Sequence, residues 1–318
     1  GAIKTSAGRT IRMDSSQAGG VVNSNGLVTH NGAGNGAGMP GTIDIQNSAG
    51  NINIANANLT LTSAGDAVKL VNNQNATIQF NNLDITTSAG GGLIATNSGT
   101  VTVGGGSIST TGGPAIFINP TIIDLRFDNV TSINSPTFGI RLDQASGLLA
   151  ISGITTITNP QGRGIEFIDS SANFDIATLN ISGSNAGGGA NGSAIFLQDT
   201  SGMAVDLLTG NFTVGNGLVQ RTADGSDTFR IDSGSANVSF GANINHGVGV
   251  NNDNAAVNIF NTASGSANFS GTVVASDGTG LQFNNADGIY GFTGTTTLSG
   301  GTAGIDILGG SKIGRAHV

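Results

Sequence analysis

Gly139-Ile-Arg-Leu-Asp-Gln-Ala-Ser-Gly-Leu-Leu-Ala-Ile-Ser-Gly-Ile-Thr-Thr-Ile-Thr-Asn159 reads as one turn of a coil. Ile140 and Leu142 alternate with polar neighbours, Leu149 and Ile151 alternate again, and Ile154 with Ile157 closes a third run. Alternation with a period of two marks half-buried strands, and the small and amide residues between the runs mark corners. The stretch therefore predicts three short strands in succession.

The same phrase, a small residue followed by apolar-x-apolar, recurs along the chain. It begins at Ile43, Val68, Leu93, Ile116, Ile140 and Ile165, spaced 25, 25, 23, 24 and 25 residues apart, and again at Ile195. Less regular copies are expected at Gly217-Leu218, Gly247-Val248-Gly249-Val250, Leu281 and Ile305. A period in the twenties with no helical periodicity predicts an all-β fold, a three-sheet parallel β-solenoid of about 11 coils of roughly 23–25 residues. The hand is assigned as right by analogy, because left-handed solenoids usually run on hexapeptides. Stacked at about 4.8 Å per coil, such a rod is on the order of 50 Å long. A leucine-rich repeat shares the period, but its Leu-x-x-Leu-x-Leu register and helical segments are missing here.

Alternation assigns faces. Ile140 and Leu142 are expected to stack on Ile165 and Phe167, and these on Ile195 and Leu197. A few residues on, a column of Asn47, Asn72, Asn97, Gln144, Asp169, Asp199, Asn252 and Asn285 is expected to turn the corner, because Asn and Asp tolerate left-handed backbone angles. Extra loops are expected at Gly183 to Ser193, Thr222 to Asp227 and Thr262 to Asn268. Residues 1–311 read as one β-helix repeat domain, part of a longer protein. Lys312 to Val318 resembles one reading frame of a sequencing adapter and is set aside as an artefact.

With 318 residues and only 9% charged, the chain has the apolar content to fold. It contains no Cys, so neither disulfides nor thiolate chemistry is available. A net charge of −8 with eleven Lys and Arg argues against nucleic acid and anionic lipid as partners. No apolar run is long enough to span a bilayer as a helix.

No reaction is legible. Polysaccharide-cleaving chemistry needs paired carboxylates, often beside a cation. Asp169 above Asp199 falls in the corner column, while Asp124, Asp175 and Asp206 are expected singly on outer strand faces, with Arg126 the one basic neighbour. No catalytic residue, cofactor or metal ligand is assigned. His30 and His246 are expected in separate turns, and Asp224, Asp227 and Asp232 lack the spacing of a calcium loop. One outward row stands out: Arg12, Asp44, Lys69, Ile94, Phe117, Arg141, Glu166, Phe196, Val219, Gly249, Gln282 and Asp306. Asp44 beside Lys69 and Arg141 beside Glu166 are expected to favour the register. Ile94, Phe117, Arg141, Glu166, Phe196 and Val219 form a candidate face that either binds a partner or lies under an adjoining segment.

Gly112-Gly-Pro-Ala-Ile-Phe117, Thr155 to Ile165 and Gly192-Ser-Ala-Ile-Phe-Leu197 give the chain a style of repeat that resembles the bacterial β-strand-repeat surface proteins, of the autotransporter passenger and filamentous adhesin type. The resemblance implies a secreted or cell-surface protein whose long passenger presents loops and an outer sheet face. The first reading is a non-enzymatic stalk or adhesin segment. The partner would be a surface ligand, either a host glycan or a host protein, or another copy of the chain, since uncapped solenoid ends invite end-to-end association. The alternatives are a polysaccharide-active β-helix, lyase or hydrolase, and a phage tail fibre.

Overall fold

The computed structural model describes residues 1–36, 39–183, 192–201, 206–221, 226–247, 254–262, 264–299, 301 and 304–311. Asn252, Asp224, Gly249 and the adapter-like tail lie outside them. The described residues are strands, turns and bends, and they contain no helix long and apolar enough to cross a membrane. Contact clustering gives two compact units, Gly1–Gly153 and Ile154–Val318, whose boundary falls within the strand Ser146–Thr158. Counted together, they hold about 11 turns of parallel β-solenoid.

In the first unit the opening strands of successive turns are Ile11–Asp14, Ile43–Gln46, Val68–Val71, Leu93–Thr96, Ile116–Asn119 and Ile140–Asp143. Each pairs in parallel with the next: Ile43 lies opposite Val68, Val68 opposite Leu93, Leu93 opposite Ile116, and Ile116 opposite Ile140. The Ile43 N–H donates to the Ala67 carbonyl at 2.9 Å, Val68 to Gly92 at 3.0 Å and Leu93 to Ala115 at 3.0 Å. Because each backbone amide finds its acceptor one turn on, equivalent side chains must stack. Ile43, Val68, Leu93, Ile116 and Ile140 are accordingly fully buried. At Gly92 the small residue before the strand also has a steric reason. A Cβ on Gly92 would sit 2.4 Å from the Ala115 carbonyl of the following turn.

The second and third runs of a turn are not always separate. Ala49–Ala64 and Asn75–Ala89 pass through the middle corner without leaving the ladder, with Asn56 opposite Asn82. In later turns the run breaks, into Thr100–Val103 and Ser107–Thr111, then Ile122–Phe127 and Asn129–Ile133. Ile154 does not help to close the set; it faces solvent, and Thr155 and Ile157 are the buried residues there.

In the second unit the opening strands are Ile165–Ile168, Ile195–Gln198, Phe229–Asp232, Ala255–Phe260, Gly280–Asn284 and Ile305–Leu308. Two sequence expectations fail. Ile195 pairs with Phe229, and Phe229 with Val257, so Gly217-Leu218 does not open a turn and the next opening residue after Phe229 is Val257; Val248 to Val250 lie outside the described residues. Val219 instead sits in Asn211–Arg221, opposite Ile181 and fully buried. The long connections lengthen the period, so counting forward two dozen residues from Ile195 lands on the wrong strand. Thr262 to Asn268 is also only partly a loop, since Ser266–Phe269 is a strand with Ala267 opposite Val238.

The second unit fills its interior with phenylalanine. Phe174 stacks on Phe212 at 4.8 Å, Phe229 meets Phe240 and Phe269 edge-on at 5.1 and 5.2 Å, and Phe269 stacks on Phe292 at 5.0 Å. Offset and edge-to-face pairs each add about 0.5–1.5 kcal/mol beyond area burial. Phe229 touches three of these rings. Phe229→Ala is expected to cost about 3–5 kcal/mol in denaturant unfolding. An effect below about 1 kcal/mol would contradict this packing.

Candidate functional site

Most of the residues expected at the corner after the opening strand have left-handed backbone angles, but Asp199 is not among the described residues with positive φ. Asn47, Asn72, Asn97, Gln144, Asp169 and Asn285 have φ of 49°, 57°, 49°, 52°, 46° and 52°. Most side chains resist the left-handed region by about 1–2 kcal/mol, whereas Asn and Asp visit it readily. Amides link successive turns: Asn97 Nδ2 donates to Asn72 Oδ1 at 3.1 Å, and Asn285 Nδ2 to Asn261 Oδ1 at 3.3 Å. Asn261, with φ 52°, turns the corner that Asn252 was expected to turn, because the opening strand there is Ala255–Phe260.

The two stacked acids do corner work. Asp169 accepts the Thr200 N–H at 2.6 Å and its hydroxyl at 2.5 Å. Asp199 accepts the N–H groups of Ser201, Leu207 and Leu208 at 2.8, 2.7 and 3.3 Å. Asp124 pairs with Arg126 at 3.0 Å, both half exposed. Asp175 is exposed opposite Thr213, while Asp206, expected on a strand, lies outside any strand and binds Ser235.

The outward row lies largely beneath its own corners. Ile94 is buried, with Cδ1 3.2 Å from where a Gly91 Cβ would be. Phe138 packs against Phe117 at 5.3 Å and lies beside the Arg141 guanidinium at 5.7 Å. Arg163 lies 3.6 Å over the Phe196 ring and pairs with Glu166 at 3.3 Å. Val219 is not part of this face; Arg230 takes the place opposite Phe196. Ile94, Glu166 and Phe196 are buried and Phe117 and Arg141 half-buried against these neighbours.

The cover follows a rule that the sequence reading missed. Four outward side chains are each met by the residue three places earlier: Asp66 and Lys69 at 3.9 Å, Phe138 and Arg141, Arg163 and Glu166, and Asp227 and Arg230 at 3.4 Å. The repeated spacing was readable in the chain. Asp44 does lie opposite Lys69 in register, but its ion pair is with Arg9 at 3.6 Å. Asp227 is buried, accepting the Ala255 N–H at 2.8 Å and Asn258 Nδ2 at 2.8 Å, and Asp232 pairs with Arg230 at 3.1 Å. Burial pushes the Asp227 carboxyl above the usual range against the pull of these donors. Among the described residues no group of three or more His, Asp or Glu is placed to hold a metal ion.

Both histidines expected in turns lie inside strands instead. His30, in Val21–Ala33, is fully buried with Nδ1 2.9 Å from Thr5 Oγ1. His246, in Asn243–His246, stands opposite Arg221 and has Nδ1 2.8 Å from Thr228 Oγ1. Arg221 is itself fully buried, and its guanidinium donates to the Gly192 carbonyl. A second buried polar row, Ser48, Asn73, Ser98 and Thr121, runs through the first unit: the Ser48 N–H donates to Asn73 Oδ1 at 3.0 Å and Asn73 Nδ2 to the Ile45 carbonyl at 2.9 Å.

No protein family model, curated protein or solved structure matches the chain.

Two outcomes test these sites. Asn72→Gly should be nearly neutral, whereas Asn72→Ala should lose about 1 kcal/mol more in denaturant unfolding, since only Gly accepts φ 57° freely; equal losses would contradict the corner geometry. Burial, with the Arg221 charge opposite, lowers the His246 pKa from 6.5 to about 4. The folded state therefore keeps the ring neutral while the unfolded chain takes up a proton. Stability is fully present above about pH 6.5 and is lost as pH falls towards 4, by up to about 3 kcal/mol. In paired unfolding series from pH 7 to 4, His246→Gln should lose that much less than the parent chain; parallel curves would refute it.

Proposed function

We propose that the chain is a non-enzymatic stalk or adhesin segment of a secreted or cell-surface protein, spanning distance and presenting loops for binding. The solenoid fold is compatible with an adhesin or with a polysaccharide-active enzyme. The observation that favours the first is the state of the carboxylates. Asp169 and Asp199, the stacked pair that paired-acid chemistry would use, are saturated by corner N–H and hydroxyl groups. Sugar-cleaving sites also stack rings on aromatic platforms. The chain has no Trp and one Tyr, and Tyr290 is buried with its hydroxyl held by Thr262 and the Gly288 N–H.

Display suits the outer surface of the first unit, where Asn51, Asn53, Thr77 and Gln79 face solvent on one sheet and offer amides and hydroxyls. A polar, weakly charged surface of this kind suits a host glycan or a host protein.

The test is a binding screen on immobilised glycans and matrix proteins, run beside a turnover assay on acidic and neutral polysaccharides. Saturable binding with no new reducing or unsaturated ends is the expected outcome, unchanged in Asp169→Asn. Chain cleavage that Asp169→Asn or Asp199→Asn abolishes would overturn the proposal in favour of the enzyme.

A further inference from the structure

One outward face of the first unit repeats a single chemistry from turn to turn. The strands Ala49–Ala64, Asn75–Ala89, Ser107–Thr111 and Asn129–Ile133 form a continuous parallel ladder, with Thr60 opposite Thr86, Thr86 opposite Ser109, and Ser109 opposite Thr131. Two residues further along the same strands stand Thr62, Ser88, Thr111 and Ile133. Thr62, Thr86, Ser88 and Ser109 are exposed, and Thr60, Thr111 and Thr131 are half-buried. Between the two ranks Leu61, Thr87, Thr110 and Ser132 point inward and are buried. The coil takes the inward hydroxyls for itself, Thr87 donating to the Gly90 carbonyl at 2.7 Å and Thr110 to Gly113 at 3.0 Å. The outward hydroxyls face solvent.

Strand propensity does not require this constancy. Thr suits an exposed strand, yet the other outward face of the same turns varies, running Asn51, Thr77, Thr100, Ile122 in one rank and Asn53, Gln79, Thr102, Asp124 in the next. The hydroxyl face carries no charge in either rank. Asp84, two places before Thr86, is tied down by the Ser107 N–H at 3.0 Å and Asn82 Nδ2 at 2.6 Å.

The spacing selects a ligand. Stacked strands put neighbouring hydroxyls of one rank about 4.8 Å apart, too far to bond each other. A water between them fits, because two O–H···O bonds of about 2.8 Å meeting at a tetrahedral angle span about 4.6 Å. That span is the second-neighbour distance of tetrahedral ice, so hydroxyls bridged in this way run in step with a crystal of water over all four strands. The threonine methyls beside them add apolar area that leaves liquid water on contact. Charged side chains would impose hydration shells of their own, and neither rank has one. We infer that this face binds ice, with Thr60, Thr86, Ser109 and Thr131 as the hydroxyl column and the Thr62, Ser88 and Thr111 rank beside it. The ligand is crystalline water, distinct from the glycan or protein ligand proposed above, and neither binding depends on the other.

Partition of the full chain between slowly grown polycrystalline ice and the remaining liquid tests it, with folding followed by the far-ultraviolet spectrum. The parent chain should be enriched in the ice. Thr86→Lys combined with Ser109→Lys, at exposed positions, should cut that enrichment by about tenfold or more while the spectrum stays unchanged. Ser109→Tyr, neutral but too bulky for its rank, should cut it as well. Gln79→Lys combined with Thr102→Lys, on the other outward face, should leave it as in the parent. A parent chain rejected into the liquid as fully as an unrelated soluble protein would overturn the proposal. So would Thr86 and Ser109 variants that enter the ice as well as the parent, or a Gln79 and Thr102 pair that is excluded equally.

Discussion

Parallel backbone pairing between successive turns is the constraint from which the rest of the molecule follows. Once the Ile43 amide is committed to the Ala67 carbonyl, and Val68 to Gly92, each side chain has its equivalent directly above it. Apolar residues then form buried columns, and a residue that suits one turn must suit its neighbours. The first unit answers with Ile, Val and Leu. The second answers with Phe rings that alternate stacked and edge-on contacts.

The same constraint governs the polar residues. A strand must turn sharply at each corner, and a left-handed residue there leaves amides and carbonyls that need partners. Asn and Asp meet both demands, which is why Asn72 and Asn97 bond to each other and Asp199 gathers three N–H groups. Charged groups brought under the corners are matched locally, three residues apart, as with Arg163 and Glu166. A carboxylate so engaged braces the coil, and this is the physical basis for reading the chain as a scaffold.

Much of the fold was legible because its signals are short-range and repeated. The columns beginning at Ile43, Val68, Leu93, Ile116, Ile140, Ile165 and Ile195, and the left-handed corners at Asn47, Asn72 and Asn97, follow from alternation and residue type. What failed did so for identifiable reasons. Long connections after Ile195 break the count, so the spacing places Val219 on a face it does not share and passes over Phe229. His30 and His246 read as turn residues in the sequence because a polar side chain seldom points into a core; each is accommodated there by a threonine hydroxyl. For Ile94 and Phe196 alternation gives the outward direction but cannot show what lies beyond it. What lies against them is Gly91, three places before Ile94, and Arg163, which reaches the Phe196 ring from the preceding turn.

The absence of Cys from the chain makes the stacking directly measurable. Gln79 and Thr102 lie opposite each other on neighbouring turns, with side chains on the outer face. In Gln79→Cys with Thr102→Cys, mild oxidation should close an internal disulfide rapidly and nearly completely, because strands about 4.8 Å apart place the two Cα atoms within bridging range. Gln79→Cys with Thr100→Cys, displaced by two residues along the strand, should close far more slowly. Failure of the in-register pair to close, or equal closure by both pairs, would contradict the register on which the whole structure rests.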